Sequence, residues 1–146
     1  MSSLKDFAFA HEKYCFGRRK ETEESFARVE AELQVVLPEE FKWFLRVCGY
    51  GECNAVSNLA SCVSDTKRFR AAADLPKRFV VLDDRNDAGA VLLDTESQAG
   101  AVTWIDTHAL PRIATGELAT TEHDHFPNFA SWVRFCVEDI IDEQQA

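Results

Sequence analysis

The chain has 146 residues, with 16 Lys+Arg against 25 Asp+Glu and a formal net charge of −9. A length in this range predicts one domain, large enough to bury a core without a metal or a disulfide, and 46% hydrophobic residues exclude a disordered chain. The acidity argues against a nucleic-acid binder that works by neutralising phosphates and fits a partner that is itself basic.

In chain order, residues 1–20 read as an irregular lead-in, with Phe7, Phe9, Tyr14 and Phe16 available to pack. The first helix is expected over 22–35, capped by Thr22, with Glu23 and Glu24 at the positive end of its dipole. Its apolar stripe is Phe26, Val29, Leu33 and Val36. Leu37-Pro38 breaks it, and Pro38 is placed to open a second helix that carries Phe41, Phe44, Leu45 and Cys48 and stops at Gly49. Residues 50–77 are the least readable: 51–64 suits a strand or a turn of helix, and 66–73 a short basic helix ended by Pro76. Three strands follow at 78–82, 90–94 and 101–106, separated by turns of Asp, Asn, Ser and Gly. Their close spacing predicts an antiparallel meander. Residues 107–125 read as a long loop, and a last helix over about 128–141 is capped by Asn128. Helices, then sheet, then helix make an α+β fold: an N-terminal helical pair, an antiparallel β-meander and a C-terminal helix packed on the sheet.

The charge is concentrated late. Residues 1–20 balance to +3, 21–79 to −2 and 80–146 to −10, the last holding only Arg85, Arg112 and Arg134 as cations. Loop and strand-end carboxylates supply much of it: Asp83, Asp84, Asp87, Asp94, Glu96, Asp106, Glu117, Glu122 and Asp124. Such a face steers a basic partner at close to diffusion-limited rates, or it serves as a solvated surface. Tyr50 and Trp104 are the aromatic candidates for anchors on it, although alternation along its strand also suits Trp104 to the core. The N-terminal Met1–Asp6 has no apolar run of the signal-peptide kind, and no segment approaches a membrane span. Five irregularly spaced cysteines without a CxxC pair suit reduced thiols, so a cytoplasmic protein is expected, with no membrane and no nucleic-acid partner.

Catalytic and metal signatures are weak. No GxSxG, HExxH or Gly-rich phosphate loop occurs. Cys53 with His108 is the conceivable nucleophile–base pair, Asp83-Asp84 a conceivable acid–base pair, and Glu122-His123-Asp124-His125 the best metal-like run. Nothing in the sequence places Cys53 beside His108, and the plainer readings of the other two are a turn opener and a polar loop. No enzyme, metal or cofactor is expected.

Several stretches taken together resemble one family. Residues 31–45, with acidic Glu32, Leu37-Pro38-Glu39-Glu40-Phe41 and Phe44-Leu45, are followed by Gly49 and Gly51. Asp87-Ala88-Gly89 leads into a strand ending at Asp94, Gly100-Ala101-Val102 into one ending at Asp106, and Phe126 to Val133 opens the last helix. This order is similar to the SUKH superfamily of Smi/Knr-like proteins, over roughly residues 24–141. The pattern departs from it at Ala90, where an acidic residue is usual, and in lacking an Asn-Gly-Gly after the second helix.

The resemblance implies a non-catalytic immunity protein that binds and neutralises a cognate secreted toxin, as a monomer or weak dimer. The alternative is a regulatory or scaffold module of the same fold with an endogenous partner. The expected contact residues are Tyr50, Asp83, Asp84, Asp87, Asp94, Glu96, Trp104, Asp106, Glu122 and Asp124.

Overall fold

A computed structural model describes residues 2–115 and 123–145. The stretch expected to be irregular instead forms α1 (Ser2–Ala10) and α2 (Glu12–Cys15). Leu4, Phe7 and Ala8 make the spacing of a helical face and are buried. The chain then runs from Tyr14 to Glu21 directly against residues 45–53. Gly17 N donates to Cys48 O, Glu21 N to Leu45 O, Tyr50 N to Arg19 O and Cys53 N to Tyr14 O, at 2.9–3.2 Å. A Cβ on Gly17 would lie 1.9 Å from Tyr50 O, and one on Gly51 2.4 Å from Tyr14 O. Only glycine permits two backbones to cross this closely.

Helix α3 (Glu23–Leu33) starts on Thr22, whose side chain and that of Ser25 cap each other's backbone N–H. It ends at Gln34 in the left-handed conformation, φ 57°. Pro38 is the residue before α4 (Glu39–Trp43) rather than its first helical residue. That helix continues as a π-helical turn, Phe44–Cys48, and stops at Gly49 with φ 78°. The ambiguous stretch after it resolves into one 15-residue helix, α5 (Leu59–Ala73). Its buried stripe, Leu59, Cys62, Thr66 and Phe69, has helical spacing but only two large apolar members.

The strands β1 (Phe79–Asp84), β2 (Ala90–Asp94), β3 (Val102–Ile105) and β4 (His123–Phe126) form one antiparallel meander in sequence order. β4 lies in the stretch read as loop, which also holds α6 (Leu110–Thr115) after a 3-10 turn at Thr107–Ala109. Helix α7 (Phe129–Gln145) begins at the expected Asn128, whose Oδ1 accepts from Ser131 N at 2.8 Å. One sheet face, with Val80, Leu82, Val91, Leu93 and Val102, packs with Trp132, Val133 and Val137 of α7 and with the N-terminal helices. The other, with Val81, Leu92 and Ile105, packs with Phe69, Leu110 and Ile113.

The outer edge of β1 is covered by α5 and the turn before it. Val81 N donates to the Thr66 hydroxyl at 2.8 Å, which donates onward to Cys62 O at 2.6 Å. Ser57 donates to Leu82 O through both its N–H and its hydroxyl. Thr66 is fully buried, so a side chain without the oxygen would strand the Val81 N–H away from water. Thr66→Val is therefore expected to lower unfolding free energy by about 1–3 kcal/mol in urea titration, with Thr66→Ser losing less. Equal stability of Thr66→Val and wild type would contradict this edge-capping role.

Candidate functional site

The register of the meander decides which candidate residues meet. Asp83 pairs with Val91, Val91 with Trp104 and Trp104 with Asp124, so these four form one row across the face that α7 covers. A bulge between Val81 and Asp83 inserts one residue and puts Asp83 into that row. Asp84 falls in the next row, opposite Ala90, and its side chain meets Arg68 of α5 at 2.6 Å.

Trp104 is half-buried and fixed at both ends of its ring. Its Nε1 donates to Ala88 O at 2.7 Å, which draws the 85–89 turn over β3. Gly89 is required there: its φ is 98°, and a Cβ would meet Ile105 O at 2.4 Å. The Arg85 guanidinium lies 4.7 Å from the Trp104 ring centre and 5.4 Å from that of Trp132, while its Nε donates to Asp83 at 2.9 Å. Arg85 therefore neutralises Asp83 and braces two rings. Asp87, on the same turn, is exposed, and Asp124 is exposed across the row from Trp104. Among the described residues, neither carboxylate meets a cation. Asp106 is exposed after β3, and its carboxylate accepts from His108 N at 3.0 Å, which starts the 3-10 turn.

The remaining candidates lie elsewhere. Asp94 and Glu96 sit at the opposite end of the sheet, since Asp94 pairs with Phe79 while Asp84 pairs with Ala90. Four steps along β2 separate the ends by roughly 13 Å. Asp94 is also spent internally, accepting two bonds from Arg78 at 3.0 and 2.7 Å, and Glu96 lies 3.7 Å from the same guanidinium. Tyr50 belongs to the helical side. Its hydroxyl donates to Glu21 at 2.5 Å and accepts from Leu59 N at 2.9 Å, and burial together with the Glu21 carboxylate pushes the phenol up. Glu122 lies outside the described residues, as does Glu117. The acidic surface thus contracts to the end of the sheet that carries Asp83, Asp84, Asp87, Trp104, Asp106 and Asp124.

Arg85, Phe126 and Phe135 are absent from the contact residues expected from the sequence. Arg85 is one of three cations after residue 79, an available signal. Phe126 and Phe135 border Trp132 at 5.1 and 5.9 Å between ring centres. Phe135 falls just off the apolar stripe of α7.

The conceivable catalytic groups do not assemble as pairs. Cys53 is buried beside Cys15, and the thiol–thiol hydrogen bond between them raises Cys15 and lowers Cys53. His108 is exposed on its 3-10 turn. Burial pushes the Cys48, Cys62 and Cys136 thiols up to about 12. Asp83 and Asp84 point to opposite faces, each to its own arginine. Among the described residues, no group of three or more His, Cys, Asp or Glu is placed to hold a metal ion, and no helix is long and apolar enough to cross a membrane.

The SMI1-KNR4 cell-wall family model of the SUKH superfamily matches residues 4–138. The chain belongs to this family. No curated protein matches the chain. The SUKH match begins inside α1, ahead of the expected start near residue 24, in keeping with α1 and α2 being woven into the core.

Arg85 is the residue on which the geometry of this surface turns. Arg85→Ala removes two ring contacts and the partner of Asp83, and should cost about 1–2 kcal/mol in urea unfolding. It should also change the Trp fluorescence of the native state. An unchanged unfolding midpoint and spectrum would show that Arg85 does not brace Trp104.

Proposed function

We propose that this SUKH protein is a non-catalytic immunity protein, which binds a cognate toxin in the cytoplasm of the producing cell and blocks its active cleft. The observation that carries this reading is the sheet end around Trp104, where a fixed aromatic ring is flanked by carboxylates that no cation neutralises among the described residues: Asp87 and Asp124. A toxin that acts on nucleic acid or another polyanion presents a basic cleft. Carboxylates held on rigid strand ends would occupy its anion sites and speed the encounter. Membership of the family supports a protein partner, and the charge of −10 over residues 80–146 supports a basic one. The family description, which names cell-wall proteins, favours a second reading: a regulatory or scaffold module with an endogenous partner.

Co-expression with the product of the neighbouring gene separates the two. The immunity reading expects relief of growth arrest and a stoichiometric complex without turnover. Association should slow by roughly tenfold or more as salt rises from low to high, because exposed charges steer it. Asp87→Lys with Asp124→Lys should slow association similarly while leaving thermal stability nearly unchanged, since neither side chain has a partner to lose among the described residues. The absence of both complex and rescue would contradict the immunity reading, and capture of a host protein in their place would support the regulatory one.

A further inference from the structure

Phe135 is one of three large apolar side chains exposed among the described residues, with Phe9 and Val36. A single exposed ring is ordinary. Phe135 differs because it is the outer member of a contiguous aromatic platform. It stacks on fully buried Trp132 with 19° between planes, and its centre lies 5.2 Å from Phe126 and 6.2 Å from Trp104. Each ring stands on a strand or helix of the sheet-and-α7 layer, so the platform is rigid before anything binds.

Carboxylates border it. Asp124 precedes Phe126 by two residues on β4, hence on the same sheet face. Glu138, Asp139 and Asp142 follow Phe135 at three, four and seven residues on α7, the same helical stripe, and all are exposed. None of these four carboxylates meets a cation among the described residues. Arg85, the cation that reaches the rings, is already matched by Asp83. The other two exposed apolar side chains have different settings. Phe9 lies beside Phe16 and Trp43, rings that carry Lys20 and Lys5. Val36 lines a groove of about 430 Å³ with Glu30, Glu96, Lys77 and Arg78, a surface of mixed charge.

We infer that the outer face of α7, centred on Phe135 and continued by Phe126 and Trp104, is the anchor point of the partner, and that it takes an aromatic or aliphatic side chain flanked by Lys or Arg. This rests on the reading of the protein as a protein-binding module and places its centre on α7, to one side of the turns where carboxylates alone would have put it. Apolar contact with the rings holds the partner, and the carboxylates at 124, 138 and 142 set its charge and register. The two groups leave separate signatures: loss of the ring raises the dissociation rate, and loss of the carboxylates lowers the association rate.

The test has two arms. In the first, the neighbouring-gene product is titrated by surface-based kinetics against wild type, Phe135→Ser, Glu138→Lys with Asp142→Lys, and the controls Phe9→Ser and Val36→Ser. The inference expects Phe135→Ser to dissociate at least about tenfold faster, the charge variant to associate about tenfold slower at low salt, and the controls to match wild type. In the second, a six-residue peptide with a Leu-Phe centre between paired lysines is titrated into labelled wild-type protein and followed by NMR. It should shift resonances of Phe135, Phe126 and Trp104, whereas its glutamate counterpart should not. Binding of the neighbouring-gene product that ignores Phe135→Ser and the charge variant would overturn this anchor and leave the immunity reading standing. Peptide binding at the platform without any binding of that product would overturn the immunity reading and leave the anchor. A peptide that shifts nothing at these rings would overturn the anchor independently of any toxin.

Discussion

Two stretches of backbone cross with no side chain between them, and the placement of everything else follows from that contact. Residues 14–21 lie against residues 45–53 through four backbone hydrogen bonds, at a distance that Gly17 and Gly51 allow and a Cβ would forbid. The crossing fixes α1 and α2 beside α7, where Arg134 lies 4.7 Å over the Phe7 ring and Tyr14 donates to Gln144 at 2.9 Å. Trp132 is held from the same region, its indole N–H donating to Ala55 O at 2.8 Å. With one flank of α7 taken by the N-terminal helices and its base by the sheet, Phe135 and the carboxylates that follow it are left facing outward beside β4.

Net charge alone gives a poor picture of such a surface. Of the late carboxylates, Asp83, Asp84, Asp94 and Glu96 each face an arginine of the chain itself, from Arg68, Arg78 or Arg85. Exposed pairs of this kind add little to stability, but they remove those groups from the field that a partner meets. Among the described residues the field comes from the carboxylates left over, and Asp87, Asp124, Glu138, Asp139 and Asp142 lie on or beside the elements that carry the aromatic rings. The charge a partner meets therefore depends on which carboxylates are paired at home, a property of register and bulge more than of composition.

The fold was legible where sequence periodicity and capping agree. Thr22 and Asn128 are caps in the structure as in the sequence, and three strands and the last helix lie where alternation and spacing put them. Legibility failed for particular reasons. The stripe of α5 runs through Cys62 and Thr66, and the Thr is there to satisfy a strand N–H, so hydrophobicity understates it. β4 is a polar edge strand, His-Asp-His-Phe, and carries no run of β-branched residues. The N-terminal helix has its spacing in Leu4, Phe7 and Ala8, but nine residues hold too few turns for periodicity alone to mark it. Among the candidate contact residues, the acidic turn types were legible and their grouping was not. Asp94 looks equivalent to Asp83 until antiparallel pairing puts them at opposite ends, and Tyr50 looks like an anchor until its hydroxyl is found tying Glu21 to the start of α5.

The most direct test of the central claim, that the partner seats on the sheet end and outer α7, is a hydrogen-exchange footprint of the complex with the neighbouring-gene product. The account expects slowed exchange in the 85–89 turn, in β4 and along the Phe135 to Asp142 side of α7, with residues 50–58 and 95–98 exchanging as in the free protein. Protection confined to residues 50–75, with β4 and α7 unchanged, would contradict it.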